Sequence, residues 1–203
     1  MKYLAIDTSG KNLTVILSDG KTEISIFDEN CATRHSVELM PRVEELVKKS
    51  KINLEEIDFF AVVIGAGSFT GIRIGVATVK AMCFAYKKPC LSITSFDTIA
   101  YNKKGEKVLA LIDAKHNGFY ACGYDQTGKV IFPPSFIMRE EVLSLIKEYK
   151  PLSFEKIEGI DNEVVNICEG LKLAIEQKQK EIDYDLSKIE PLYVRKSQAE
   201  EGR

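Results

Sequence analysis

One pattern constrains this chain more than any other, because it occurs twice. Tyr3-Leu4-Ala5-Ile6-Asp7 is an apolar run closed by an acid. Leu13–Ser18 reads as a second strand, Asp19-Gly20 as a hairpin turn, and Thr22–Phe27 alternates as a third strand. The same order returns later. Val108–Asp113 ends in an acid, Phe119–Tyr124 follows, then Thr127-Gly128 and Val130-Ile131-Phe132. Each meander gives way to helical periodicity, which predicts two related β-β-β-α units and an α/β fold. The polar, glycine-broken stretch Asn102–Lys107 marks the boundary. It divides the chain into an N-terminal unit over residues 1–101 and a smaller C-terminal unit over 107–203.

In the first unit Val37, Met40, Val43, Leu46 and Val47 recur at helical spacing between charged residues. Pro41 lies inside this run, so the helix should start near it or bend there. Asn53–Ile57 reads as a short helical turn before a buried strand beginning at Phe59. In the second unit Arg139–Tyr149 reads as a helix, Ser153–Ile157 as a strand and Glu163–Lys180 as a long helix with a polar face.

Between the strand at Phe59 and the next helix stands Gly65-Ala66-Gly67-Ser68-Phe69-Thr70-Gly71. A glycine loop leading into a helix N-terminus can present backbone N–H groups to an anion. The spacing here is one residue too long for the dinucleotide fingerprint, and the Gly-Lys-Ser/Thr ending of a P-loop is missing. Gly65, Gly67 and Ser68, with Asp7, Thr8 and Ser9 at the end of the first strand, are therefore candidates for a vestigial phosphate-facing surface. No Gly-x-Ser-x-Gly elbow occurs, so Ser68 fits a loop or N-cap hydroxyl better than a nucleophile. Asp7 and Asp113 close equivalent strands and could hold a metal or cap the turn that follows. Capping is the better fit for Asp113, and both roles stay open for Asp7.

The helix from Gly71 to Tyr86 is apolar nearly all round, with Arg73 and Lys80 its only strongly charged side chains. Gly71 and Gly75, then Ala77, Ala81 and Ala85, repeat at intervals of four, which lets another helix approach closely. The helix is either buried within its own chain or closed by another subunit. Arg73 sits near the helix N-terminus, against the helix dipole, and points to a partner or carboxylate contact.

The net charge of −2 excludes holding nucleic acid by bulk electrostatics alone. Cys31, Cys83, Cys90, Cys122 and Cys168 are scattered without a Cys-x-x-Cys pair and read as reduced packing residues. Asp7 comes too early for a signal peptide, and no apolar run is long enough to span a bilayer, so a cytoplasmic location is expected. The two histidines, His35 and His116, are far apart. His35 fits a helix start and His116 a solvated turn, and no cluster with metal spacing exists.

Ile6-Asp7-Thr8-Ser9, His35-Ser36, Gly65-x-Gly67-Ser68-Phe69-Thr70-Gly71-x-Arg73 and Pro191-Leu192-Tyr193-Val194-Arg195 together resemble the TsaB (YeaZ) family. The match runs in order along nearly the whole chain. The resemblance implies a duplicated ribonuclease-H-like fold of the actin-like ATPase superfamily, with a reduced second half. It implies a non-catalytic scaffold for threonylcarbamoyl transfer to the adenosine beside the tRNA anticodon. The implied partners are a TsaD-type catalytic paralogue and a TsaE-type ATPase, with a homodimer when the chain is alone and tRNA met mainly through the complex. No cofactor is expected on this chain, ATP and a metal ion being carried by the partners. By the same resemblance the two helices of the first unit form the partner surface. Its candidates are Val37, Met40, Val43, Leu46 and Val47, with Arg73, Ile74, Val76, Ala77, Lys80 and Ala81.

Two departures from the family stand out. Ala66 replaces a usual proline between the glycines, and Glu158-Gly159-Ile160-Asp161 replaces a glycine-richer turn. Where the metal-bearing relative has its paired histidines, this chain reads Leu91-Ser92-Ile93-Thr94-Ser95-Phe96-Asp97, which is no ligand set for iron or zinc. Two other readings compete. A small ATP-dependent phosphotransferase of the same fold is favoured by Asp7 and the Thr8-Ser9 turn and opposed by the lack of any Gly-Gly turn. A metallopeptidase-like relative is opposed by the missing histidine pair. The mixed-charge tail from Arg195 to Arg203 is expected to be mobile and receives no role.

Overall fold

A computed structural model describes residues 1–195; Lys196–Arg203, most of the mixed-charge tail, lie outside the described residues. The chain forms two compact units. The first comprises Met1–Thr94 together with Ile175–Leu192, and the second Ser95–Ala174 with the described residues from Tyr193. This corrects the expected division at residues 101 and 107. The boundary falls at Ser95, and a late segment returns to the first unit, where Ile189 is buried in the core.

The first unit is a five-stranded sheet in the order β3-β2-β1-β4-β5. Its strands are β1 (Tyr3–Asp7), β2 (Leu13–Ser18), β3 (Glu23–Asp28), β4 (Phe59–Val63) and β5 (Cys90–Ile93). The first three pair antiparallel, whereas β4 joins β1, and β5 joins β4, in parallel. Parallel pairs need crossover connections, supplied by helices α1 (His35–Ser50) and α2 (Phe69–Tyr86). Leu4 and Ile6, Leu13, Val15 and Leu17, and Phe60 and Val62 share the core with Leu39, Val43 and Leu46 of α1 and Ile72 and Val79 of α2.

Pro41 neither starts nor ends α1, which continues through it. The lost N–H leaves the Val37 carbonyl without its helical donor, and Val37 is exposed, so water can reach that turn. The turn at Leu54–Glu56 forms as expected, held by a capping box between Asn53 and Glu56.

The second unit repeats the strand order as β10-β9-β6-β7-β8. Its elements are α3 (Ser95–Ala100), β6 (Val108–Asp113), β7 (Gly118–Tyr124), β8 (Val130–Met138), α4 (Arg139–Leu145), β9 (Lys150–Ser153), β10 (Glu163–Val164) and the start of α5 (Ile167–Lys178), whose residues from Ile175 belong to the first unit. One face of the sheet packs Leu109, Leu111, Phe119 and Ile137 against Val142 of α4. The third strand outruns its expected end at Phe132, and Pro133 and Pro134 are tolerated because β8 is an edge strand.

Three sequence expectations are corrected here. The strand expected over Ser153–Ile157 lies earlier, at Lys150–Ser153, where Val108 and Ala110 of β6 pair with Lys150 and Leu152. Pro151 is accommodated because β10 pairs only with Leu152 and Ser153. The helix expected from Glu163 begins at Ile167, since Val164 extends the sheet and the Asn166 side chain accepts from Glu169 N at 2.9 Å. The helix expected to reach Tyr149 ends at Leu145, and looser turns follow. All five cysteines are free thiols, four of them buried.

Candidate functional site

The end of β1, the glycine loop and the starts of α1 and α2 meet at one place in the first unit. Asp7 is buried, and its Oδ1 accepts both Ser9 N (2.8 Å) and Ser9 Oγ (2.7 Å). Burial pushes the Asp7 carboxyl above its usual range, and the two bonds from Ser9 offset this only in part. Thr8 is fully buried and donates from Oγ1 to Gly71 O at 2.7 Å.

The glycines serve close packing. A Cβ on Gly67 would lie 2.1 Å from Ser9 O, one on Gly71 2.0 Å from Thr8 O, and one on Gly75 2.5 Å from Thr8 Oγ1. Gly65 faces Leu192 O in the same way, at 2.8 Å, and Leu192 N donates to Ile64 O at 2.7 Å. Gly71 and Gly75 thus admit the end of a strand, where the sequence pointed to another helix. Ser68 N, which a phosphate-facing loop would offer to an anion, donates to Ser9 O at 2.7 Å. Ser68 Oγ caps α2 by accepting from Gly71 N, as its position before the helix predicts. Of the expected phosphate-facing group, Asp7, Thr8, Ser9, Gly67 and Ser68 come together around the start of α2, whereas Gly65 packs against Ile72 and Leu192. The polar atoms there, however, bond one another across a gap only glycine can close.

His35 opens α1 and is 1% exposed. Its Nε2 stands 3.2 Å from Asn12 O, and Nδ1 has no hydrogen-bond partner among the described residues. Burial lowers its pKa, against weaker upward pulls from the Asn12 carbonyl and Asp7. Among the described residues no three His, Cys, Asp or Glu side chains gather as a metal site. Of the segment Leu91–Asp97, Ser95, Phe96 and Asp97 belong to the buried helix α3, and Asp97 accepts from Tyr124 OH at 2.9 Å.

The proposed partner residues fall on two faces. Val43, Leu46 and Val76 are buried in the core of their own chain and cannot line a docking surface, which corrects their assignment. The buried stripe of α1 is His35, Leu39, Val43 and Leu46, while Val37 (68%) and Met40 (44%) point outward. On α2, Arg73, Ala77 and Ala81 are exposed, with Ile74 and Lys80 half-buried; Val47 of α1 is half-buried too. Arg73 lies over the Phe69 ring, 5.7 Å from its centroid. The sequence reading missed Phe84, which is 80% exposed and one turn beyond Ala81 on the face of Ala77. Its spacing from Ala77 and Ala81 is the signal that could have found it.

A sheet of this order, met twice in one chain, with crossover helices on the first copy, defines a duplicated α/β protein of ribonuclease-H-like, actin-like fold. Residues 21–189 match the family described as TsaD, tRNA N6-adenosine threonylcarbamoyltransferase. The chain belongs to that family, in its TsaB (YeaZ) group. It is similar to a protein named tRNA threonylcarbamoyladenosine biosynthesis protein TsaB from Escherichia coli K12. The identity is 32% over 130 residues, 62% of this chain and 56% of that one. The protein of the same name from Buchnera aphidicola of Schizaphis graminum is 30% identical over 123 residues, covering 58% of this chain and 57% of that one. The matched region is thus little more than half the length of these two relatives. The solved structure of YeaZ from Pseudomonas aeruginosa superposes with a TM-score of 0.77 at 22% identity, covering 95% of this chain and 99% of that one. No helix among the described residues is long and apolar enough to cross a membrane.

Proposed function

We propose that this chain is a non-catalytic scaffold or activator subunit for threonylcarbamoyl transfer to the adenosine beside the tRNA anticodon. It pairs with a TsaD-type catalytic subunit, works with a TsaE-type ATPase, and forms a homodimer when alone. It carries no cofactor itself; ATP and a metal ion belong to the partner subunits, and tRNA is met mainly through the complex. The observation that carries this reading is the outward face of α1 and α2. Val37 and Met40 on one helix, and Ala77, Ala81 and Phe84 on its neighbour, are apolar side chains exposed on this chain, with Arg73 beside them. Such a face needs a cover, and a paralogue of the same family is the cover favoured here. The phosphotransferase reading finds less support, because the loop amide it needs is bonded to Ser9 O.

The test is reconstituted modification of tRNA with a TsaD-type and a TsaE-type subunit. Adding the wild-type chain should raise the rate, and an Ala77→Glu, Phe84→Glu double variant should abolish the increase. Modification that proceeds equally well without this chain, or tRNA modified by this chain alone, would sink the reading.

A further inference from the structure

His35 has an unusual position for a polar side chain. It is the first residue of α1, yet its ring is enclosed in the unit's interior. The helix otherwise starts weakly, because Arg34 at the N-cap provides no side-chain hydrogen bond. What anchors this end is the imidazole. Asn12 O can only accept, so Nε2 carries the proton of the neutral ring and donates to it. That leaves the Nδ1 lone pair directed into the protein, without a polar partner among the described residues.

Nδ1 faces α2. A Cβ placed on Gly71 would sit 3.3 Å from it and, on its other side, 2.0 Å from Thr8 O. Thr8 in turn binds Gly71 O through Oγ1 and abuts Gly75 one turn on. The end of β1, the first residue of α1 and the first two turns of α2 therefore touch around a single point. An apolar side chain of similar size would fill that point without leaving a buried nitrogen unpaired. An imidazole kept there at that cost has a use other than stability.

We propose that His35 is a positioning residue that fixes the first turns of α1 against the first turns of α2. It thereby sets the relative placement of Val37 and Met40 on one helix and Arg73 and Ala77 on the other. The inference rests on the proposed docking role of that face, and it assigns part of the partner affinity to a residue that the partner cannot touch.

The test compares variants, free and titrated with a TsaD-type subunit. His35→Phe keeps the ring's bulk and removes both the orphan nitrogen and the bond to Asn12. His35→Gln keeps a side-chain N–H able to reach Asn12 O. His35→Phe should melt no lower than wild type, yet bind the partner at least about tenfold more weakly. Hydrogen exchange should quicken in the first turns of α1 and not in the last. His35→Gln should recover most of the affinity. Equal affinity of wild type and His35→Phe overturns the proposal, and so does a loss that merely tracks a lower melting temperature. If His35→Phe does not fold, His35→Leu makes the same comparison with less volume; failure of both to fold assigns His35 to core support and also overturns it. A wild-type chain that does not bind the TsaD-type subunit overturns the docking role itself, and that measurement precedes any variant.

Discussion

Both units place an acid at the end of the first strand and use it in the same turn, with the carboxylate accepting the N–H two residues on. The distance is 2.8 Å at Asp7 and 2.7 Å at Asp113. Their surroundings then diverge. Asp7 is enclosed beneath the glycine loop and α2, and burial raises its pKa. Burial alone would also raise Asp113, but the Lys115 N–H and ammonium, with the field of Arg139, hold it below the usual carboxylate range. The cause is one missing element. Between β4 and β5 the chain inserts the eighteen residues of α2, whereas β9 and β10 are joined without an α-helix. The duplication has thus kept its strands and lost a helix. Only the copy that kept the helix needs glycines where helix and strand meet.

The largest effect should come from Gly71→Ala. Its Cβ would strike the Thr8 backbone, so we expect a loss of about 3 kcal/mol or more in chemical denaturation, or no folded protein. Gly10→Ala, with nothing within 4 Å, should be nearly silent. Equal behaviour of the two would break the account of the glycines. Next, Val76→Asp should cost about 3–5 kcal/mol by leaving a charge unpaired in the core. Its neighbour Ala77→Glu should leave the thermal transition in place and remove partner binding; loss of the transition would make the exposed stripe part of the core.

A smaller effect separates the two acids. Asp7→Asn keeps the acceptor and removes the carboxylate that burial disfavours, and should raise stability near neutral pH. Asp113→Asn should lower it slightly or not at all. A stabilised Asp113→Asn with an unaffected Asp7→Asn would reverse the comparison.

The smallest is a pH effect of His35. Its folded pKa lies below the unfolded value of 6.5, so the unfolded chain binds the extra proton first as pH falls. The contribution of His35 to stability is therefore complete above the unfolded value and declines as pH drops from there through the folded pKa. Urea melts across that range should show the wild type losing stability relative to His35→Leu as pH falls; a difference that does not change with pH would remove this effect.

The strands of both meanders were legible because hairpin turns and alternation are local signals. β9 was misplaced by a few residues, since Pro151 reads locally as a strand breaker and only pairing with β6 makes it a strand. The first turns of Glu163–Lys180 went astray for the same reason: the pull of the sheet on Val164 is a tertiary effect. At the site, Asp7, Thr8 and the glycines were identified, but composition cannot tell an amide facing an anion from one facing Ser9 O. Reading Val37, Met40, Val43, Leu46 and Val47 as one face merged two. The buried stripe passes through His35, Leu39, Val43 and Leu46, and that phase was available in the sequence had Leu39 been counted.

The return of Ile175–Leu192 to the first unit bears on how the protein is made. A ribosome completes β5 well before it reaches the segment whose Asp183 bonds to Cys90 at the edge of that strand. At roughly 5–20 residues per second, the intervening stretch takes on the order of 4–16 s to synthesise. During that interval the first unit has its sheet and both crossover helices but lacks Ile189 and the strap along β5. It emerges as an unfinished body with an open strand edge, and the second unit must be translated before the first can close.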